Sequence, residues 1–242
     1  MIEKYFSQIR QQLNAVEEKE SGPMEACAEA IAKTLEQDGL VHLFGCGHSH
    51  LLSLEVYYRA GGLVPIHPIL HEPLMLHEGA VRSSELERTN DYAQTFLADE
   101  HIQPEDTVIV ISTSGRNPVP VDVALHAKKA GAKVAGLTSV AYSSAQPSRH
   151  KDGLKLMHVV DIVLDNHAPS GDALLTHPAL TAPFASSSTA IGTAMLQAII
   201  ARAIEITTDR GNMPPIFASG NADGGDDQNE QWLEKYRDRL GL

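Results

Sequence analysis

Three hydroxyl side chains and a glycine follow an unbroken apolar run in Val108-Ile109-Val110-Ile111-Ser112-Thr113-Ser114-Gly115-Arg116-Asn117-Pro118. The run reads as a buried strand, and Asn117 with Pro118 reads as the cap and first residue of a helix. Free amide groups at a helix start, together with the positive end of its dipole, attract an anion, and small hydroxyls add donors without excluding a phosphate. Ser112, Thr113, Ser114, Gly115 and Asn117 are therefore candidate phosphate-binding residues, gripping the anion without a cationic side chain. An ordinary capped strand-to-helix turn is the competing reading, since Ser and Asn are common at caps.

A second turn, Gly45-Cys46-Gly47-His48-Ser49-His50, opens like a dinucleotide fingerprint. His50 stands at the third glycine position and no acidic residue ends the following strand, so NAD is disfavoured. No Gly-x-x-x-x-Gly-Lys-Ser/Thr loop exists for ATP. What remains is a glycine turn that lets backbone approach a ligand, with Ser49 aimed at the same crevice as Ser114.

Proton transfer next to a carbonyl needs a base and a donor for the oxyanion. Glu55 lies two turns along the helix that follows the glycine turn, where partial burial would raise its pKa; an exposed helix carboxylate is the equal alternative. Glu78 and His77, in a long loop, compete for the same role. His167, in Asp165-Asn166-His167, is a candidate donor to a sugar oxygen, against the plainer reading of a solvated loop histidine. His48, His50, His67, His71, Glu72, His77 and Glu78 are dense in potential metal ligands, yet no His-Glu-x-x-His motif or cysteine pair fixes a geometry, so neither a metal nor a cofactor is expected.

The elements that must position these residues follow from periodicity. Two amphipathic helices fill about residues 1–38; apolar strands are expected at 40–44, 63–66, 107–111, 133–138 and 159–164. Helices are expected at 50–60, 85–100, 118–130, 187–209 and 228–240. Residues 67–84 fit neither pattern, and loops of that length tend to be functional or disordered. Strands alternating with helices imply an α/β fold, a doubly wound five-stranded parallel sheet in the flavodoxin-like order 2-1-3-4-5 flanked by helices. In that order the winding reverses between strands one and three, the two strands that end in the distinctive turns.

Composition agrees with such a sheet. Hydrophobic residues make up 43% of the 242 and aromatics only 5%, so Ala, Val, Ile and Leu must build the core. The net charge of -12 and the lack of a basic cluster argue against nucleic acid as a partner. Two cysteines, Cys27 and Cys46, are too few for a disulfide framework. With no basic-then-apolar leader and no run near the length of a membrane span, a cytoplasmic protein with no membrane partner is expected.

Gly45-Cys46-Gly47-His48-Ser49 paired with Ser112-Thr113-Ser114-Gly115-Arg116-Asn117 resembles the sugar isomerase (SIS) domain, over roughly residues 40–209, and in particular its phosphoheptose isomerase-like and muramic-acid-phosphate etherase-like branches. The resemblance implies one SIS-type domain spanning 1–242, with the two N-terminal helices and a helical tail from about 210. It implies that Ser112, Thr113, Ser114 and Asn117 hold a sugar phosphate and that Gly47, His48 and Ser49 touch the sugar. Ser187 and Ser188, in Ser186-Ser187-Ser188-Thr189-Ala190, resemble the start of the helix that closes the site. Leu76-His77-Glu78-Gly79-Ala80 and Asn221-Ala222-Asp223-Gly224-Gly225-Asp226 are similar to a branch whose reaction the resemblance does not assign. Phosphoheptose isomerases carry a glutamate where this chain has Arg59, so the base does not transfer directly to Glu55. The implied partner is a phosphorylated sugar or amino sugar, the implied reaction aldose–ketose isomerisation, and the implied assembly a homodimer or homotetramer. A lyase of the etherase kind, a sugar-phosphate sensor and a dimerisation domain with a vestigial pocket are the alternatives.

Overall fold

Five parallel strands in the order β2-β1-β3-β4-β5 form one sheet in the computed structural model, which describes residues 1–219 and 225–241. Along the chain run α1 (Ile2–Lys19), α2 (Ser21–Glu36), β1 (Val41–Gly45), α3 (His50–Val56), β2 (Ile66–Ile69), α4 (Ala80–Glu87), α5 (Gln94–Leu97) and β3 (Thr107–Ile111). There follow α6 (Pro118–Ala130), β4 (Lys133–Thr138), α7 (Val140–Ser144), α8 (Leu156–Val159), β5 (Ile162–Asp165), α9 (Ser188–Asp209) and α10 (Gly225–Leu240). The order is the expected flavodoxin-like one. Of the similar tail motif, Asn221 to Gly224 lie outside the described residues.

Both faces of the sheet are covered, so β3 is buried at every position and apolar from Val108 to Ile111, and those residues divide by parity. Ile109 and Ile111 join Leu43, Leu137 and Leu164 in a core with α1, α2, α3 and α9. Val108 and Val110 join Phe44, Phe96 and the inner face of α6 in a second core on the other side. The C-terminal helix closes a third, smaller cluster of Leu40, Val64, Phe217 and Tyr236. It is pinned from below by Asp106, which accepts from Arg239 at 2.8 and 3.0 Å.

Several elements differ from the periodicity. The second strand lies at 66–69 rather than 63–66, because Leu63 and Val64 pair with a returning segment: Val64 N–H donates to Pro215 and Phe217 N–H to Gly62. Pro68 is accommodated because β2 is an edge strand. The helix after the glycine turn stops at Val56, not residue 60, where Tyr57 is extended and Tyr58 takes a φ of 44°. The expected 85–100 helix is two short ones, and α4 begins earlier, inside the segment expected to be irregular. Ahead of β5 a short helical turn occupies 156–159, delaying the strand to 162. Finally, α9 is long and apolar enough to cross a membrane by length and composition, with a mean hydropathy of 1.3. Its isoleucines, Leu196, Met195 and alanines raise that mean, and Ile191, Met195, Leu196 and Ile199 are buried in the core against α2 and α3.

Candidate functional site

The two turns leave the sheet side by side. Gly45 pairs with Ile111 at the ends of β1 and β3, so Cys46–Ser49 and Ser112–Asn117 emerge at the carboxyl edge where the winding reverses. The second turn is held from its far side by β4 and the segment beyond. Ser112 N–H donates to Leu137, Ser139 N–H to the Thr113 carbonyl at 2.9 Å, and Leu156 N–H to the Gly115 carbonyl at 2.8 Å. Gly115 has a φ of 57°, and a Cβ there would stand 2.7 Å from Thr138 Oγ1, so only glycine lets the turn nest against β4.

Within this turn the inner and outer residues differ. Ser112 is buried, and its Oγ accepts the Gly115 N–H at 3.3 Å, so it shapes the loop. Thr113 and Ser114 are partly exposed. Asn117 starts α6 without capping it. Its side chain turns instead to Arg149, whose Nη1 donates to Oδ1 at 3.0 Å, and it holds down the pKa of the nearby Glu87. Independently of that cap, the loop amides of Thr113, Ser114, Arg116 and Asn117 have no acceptor among the described residues. A helix start with free amides is a site prepared for an anion.

Arginines also lie at this turn. Arg116 donates to Gln146 at 3.2 Å, and its buried Nε has no partner among the described residues. Burial, then the neighbouring charges of Arg116 and Arg88, press the Arg149 guanidinium below its ordinary pKa. The Arg149 side chain, which bonds Asn117, thus feels the charges of Arg116 in the turn and Arg88 at the end of α4.

Glu87, on α4, links the two turns. It is influenced by Asn117 on one side and acts electrostatically on Cys46 on the other; burial first and Glu87 second push the Cys46 thiol well above its ordinary range. Burial likewise raises the Glu87 carboxyl, against the opposing effects of Asn117, Arg88 and Arg149. A desolvated carboxyl with a raised pKa between two ligand-type turns has the attributes of a general acid or base.

The sequence model of the SIS-domain family matches residues 4–139, more than half the chain. The chain belongs to the SIS-domain family. A UPF0309 protein of Geobacillus kaustophilus is 54% identical over 99% of this chain and 96% of its own length. Among solved structures, a phosphoheptose isomerase from Francisella tularensis superposes with a TM-score of 0.53 at 18% identity, covering 84% of this chain and 96% of that one. The Vibrio vulnificus NanR protein complexed with ManNAc-6P gives 0.51 at 12% identity, covering 96% of this chain and 67% of that one. At these identities the structural matches establish the shared fold.

Other sequence-selected residues of this SIS domain fall at varying distances from the two turns. Loop residues 71–79 pack on the glycine turn: the His77 ring lies 6.3 Å from that of His50, whose Nδ1 bonds the Gly47 carbonyl. His77 and Glu78 are exposed, 3.7 Å apart. His48 is exposed and Ser49 partly so. Glu55 is bound by Arg59 at the helix surface, so the anticipated desolvation of its carboxylate is absent; the helix face that carries it points outward. His167 is held between Glu20 at 3.2 Å and Asp165 at 3.4 Å and lines a separate cleft of about 300 Å³ with Gln8, Gln12 and Pro169.

Ser187 and Ser188 are engaged by the chain itself. Asp172 accepts from both amides, at 3.0 and 2.9 Å, and from the Ser188 hydroxyl at 2.6 Å. The histidine-rich patch disperses: His71 bonds Tyr92 and stacks on Phe96, and His67 faces His42 at the opposite end of β2. Glu87, Arg149 and Asp172 escaped the sequence reading because each acts from another element, and no local spacing links them to the turns.

Proposed function

We propose that this protein is a sugar-phosphate aldose–ketose isomerase whose substrate phosphate sits at the start of α6. The carrying observation is the set of open amides at Thr113, Ser114, Arg116 and Asn117, with Arg116 in the same turn and Arg149 bonded to Asn117. An anion there satisfies the donors. Ser114 and Thr113 supply hydroxyls to it, and Ser112 and Gly115 set the loop's shape. The sugar then extends toward Gly47, His48 and Ser49. Glu87 is the base that takes the proton α to the carbonyl of the open-chain sugar and returns it one carbon over, with His77 and Glu78 as alternatives from the loop. Bound ManNAc-6P in the NanR neighbour and the isomerase named in the Francisella neighbour support the ligand class and the reaction.

A thermal-shift panel of sugar phosphates, including amino sugars, tests the binding step, since ligand raises the melting temperature by mass action. Solvent-deuterium incorporation at C2 of each stabilising sugar then tests the chemistry. Exchange with a ketose product supports isomerisation; exchange followed by loss of a substituent supports the lyase alternative. Binding without exchange favours a sensor, a reading the complexed NanR neighbour also supports. No stabilisation by any sugar phosphate would overturn the proposal.

A further inference from the structure

At the opposite end of the sheet, His42 and His67 are register partners on β1 and β2. Their rings meet edge to face with centroids 5.0 Å apart and Nδ1 atoms 3.0 Å apart. Glu100, between α5 and β3, brings Oε2 to 3.8 Å from the His67 Nδ1. One donor atom from each of the three lies within 4.8 Å of the other two. We infer that His42 Nδ1, His67 Nδ1 and the Glu100 carboxylate form a binding site for a divalent transition-metal ion of the zinc type.

The tautomer of His42 is the first support. Its Nε2 lies 3.0 Å from Asp106 Oδ2, and Asp106 is fully buried, also accepting from the Leu40 and Gln103 amides and from Arg239. A carboxylate so surrounded by donors accepts, so His42 Nε2 carries a proton, and in the neutral ring Nδ1 presents the bare lone pair. A carboxylate behind a ligating imidazole is the usual second layer of a metal site, fixing ring orientation and strengthening the donor. The facing His67 nitrogen satisfies that lone pair in one of two ways, by donating a proton or by sharing a cation.

Glu100 favours the cation. A hydrogen bond between two imidazoles makes no use of a third group, and the Glu100 carboxylate accepts no hydrogen bond from any described residue. With a metal it becomes the third ligand and lowers the charge of the site. The size also suits: ligand nitrogens about 2.0–2.1 Å from zinc at a tetrahedral angle stand roughly 3.4 Å apart, so the two rings need separate by only about 0.4 Å. Two imidazoles and one carboxylate suit zinc and its first-row neighbours better than calcium or magnesium. The His67 and Glu100 side chains are 25% and 19% exposed while His42 is 2%, which gives an ion an entry path and leaves a fourth position to water. The bound ion would join β1, β2 and the segment leading into β3, and through Asp106 the C-terminal helix.

The experiment uses untagged, chelator-treated protein titrated with Zn²⁺ and, separately, Co²⁺. One equivalent per chain is expected, with a rise in melting temperature and the visible Co²⁺ absorption of a four-coordinate nitrogen–oxygen site. His67→Gln and Glu100→Gln, both partly exposed and checked for fold by circular dichroism, should each weaken binding at least about tenfold. Absence of stoichiometric binding would overturn the inference. So would binding that survives both substitutions but is lost in His77→Ala, which would assign the ion to the glycine-turn histidines instead.

Discussion

Two helices begin at the carboxyl edge of this sheet with runs of small hydroxyl residues, and they end up in opposite states. At α9, the carboxylate of Asp172 accepts from the amides of Ser187 and Ser188 and from both hydroxyls, so the positive end of the helix already holds an anion. At α6, the side chain of Asn117 makes no cap and accepts from Arg149, and the amides of the preceding turn stay open. Helix dipoles and free donors favour a negative charge at both places. The difference is whether the chain supplies that charge itself, and under the proposed function the start of α6 is the one left for a ligand.

The largest expected effect tests what lies next to the open start. Glu87→Gln should lower the isomerisation rate by about 10²–10⁴-fold with little change in KM, the range for loss of a positioned base. A base works ionised, and burial raises the Glu87 pKa, so the native rate should climb with pH through a value above the ordinary carboxylate range; that limb should vanish in the variant. Stability carries the opposite sign. The folded state binds the Glu87 proton more tightly than the unfolded chain, so this residue's contribution is full in acid. It declines as pH rises from the ordinary glutamate value through the raised one. Denaturant melts of native and Glu87→Gln protein across that window should converge at low pH and part as pH rises.

Gly115→Ala addresses the shape of the open start. The positive φ and the 2.7 Å approach to Thr138 Oγ1 leave no room for a methyl group. A loss of about 2–3 kcal/mol is expected by denaturant unfolding, together with loss of any sugar-phosphate thermal shift.

What was legible in the sequence was what neighbours dictate to neighbours. The span of β3, that of α6 with its Asn117–Pro118 start, and the Lys133–Thr138 strand follow from apolar runs and punctuation, and together they fix the sheet order and the location of both turns. The edge strand was misplaced by three residues because Leu63-Val64-Pro65-Ile66 is as apolar as Ile66-His67-Pro68-Ile69. Only the antiparallel return of Pro215–Phe217, 150 residues on, decides which segment joins the sheet. The same limit hid the contrast between the two helix starts. Ser-Thr-Ser-Gly and Ser-Ser-Ser-Thr look alike, and the acid that fills one of them lies some fifteen residues upstream in a loop.

Asp172→Ala converts the filled start into an open one. Removing an acceptor of several hydrogen bonds at a helix cap should cost about 2 kcal/mol, which for a chain of this size is a fall of roughly 4–8 °C in Tm. The vacated amides should then take an external anion, so inorganic phosphate should stabilise Asp172→Ala more than it stabilises the native protein. Equal responses to phosphate would mean that the two starts differ in more than occupancy.

The smallest effect separates two hydroxyls inside one turn. Ser112 spends its Oγ on the Gly115 amide and is buried, whereas Ser114 is partly exposed and its hydroxyl makes no bond to any described residue. Ser112→Ala should therefore cost about 1 kcal/mol of folding stability, the ordinary net value of a hydrogen bond, and should affect ligand binding only through the loop. Ser114→Ala should leave the unliganded melt unchanged and weaken sugar-phosphate affinity by about 1.5 kcal/mol, roughly tenfold, because the lost bond is to a charged group. Calorimetric binding and ligand-free melts of the two variants give a crossed pattern if the open start is the phosphate site. The reverse pattern, with Ser112 governing affinity and Ser114 stability, would require the turn to reorganise around its ligand before the amides can engage it.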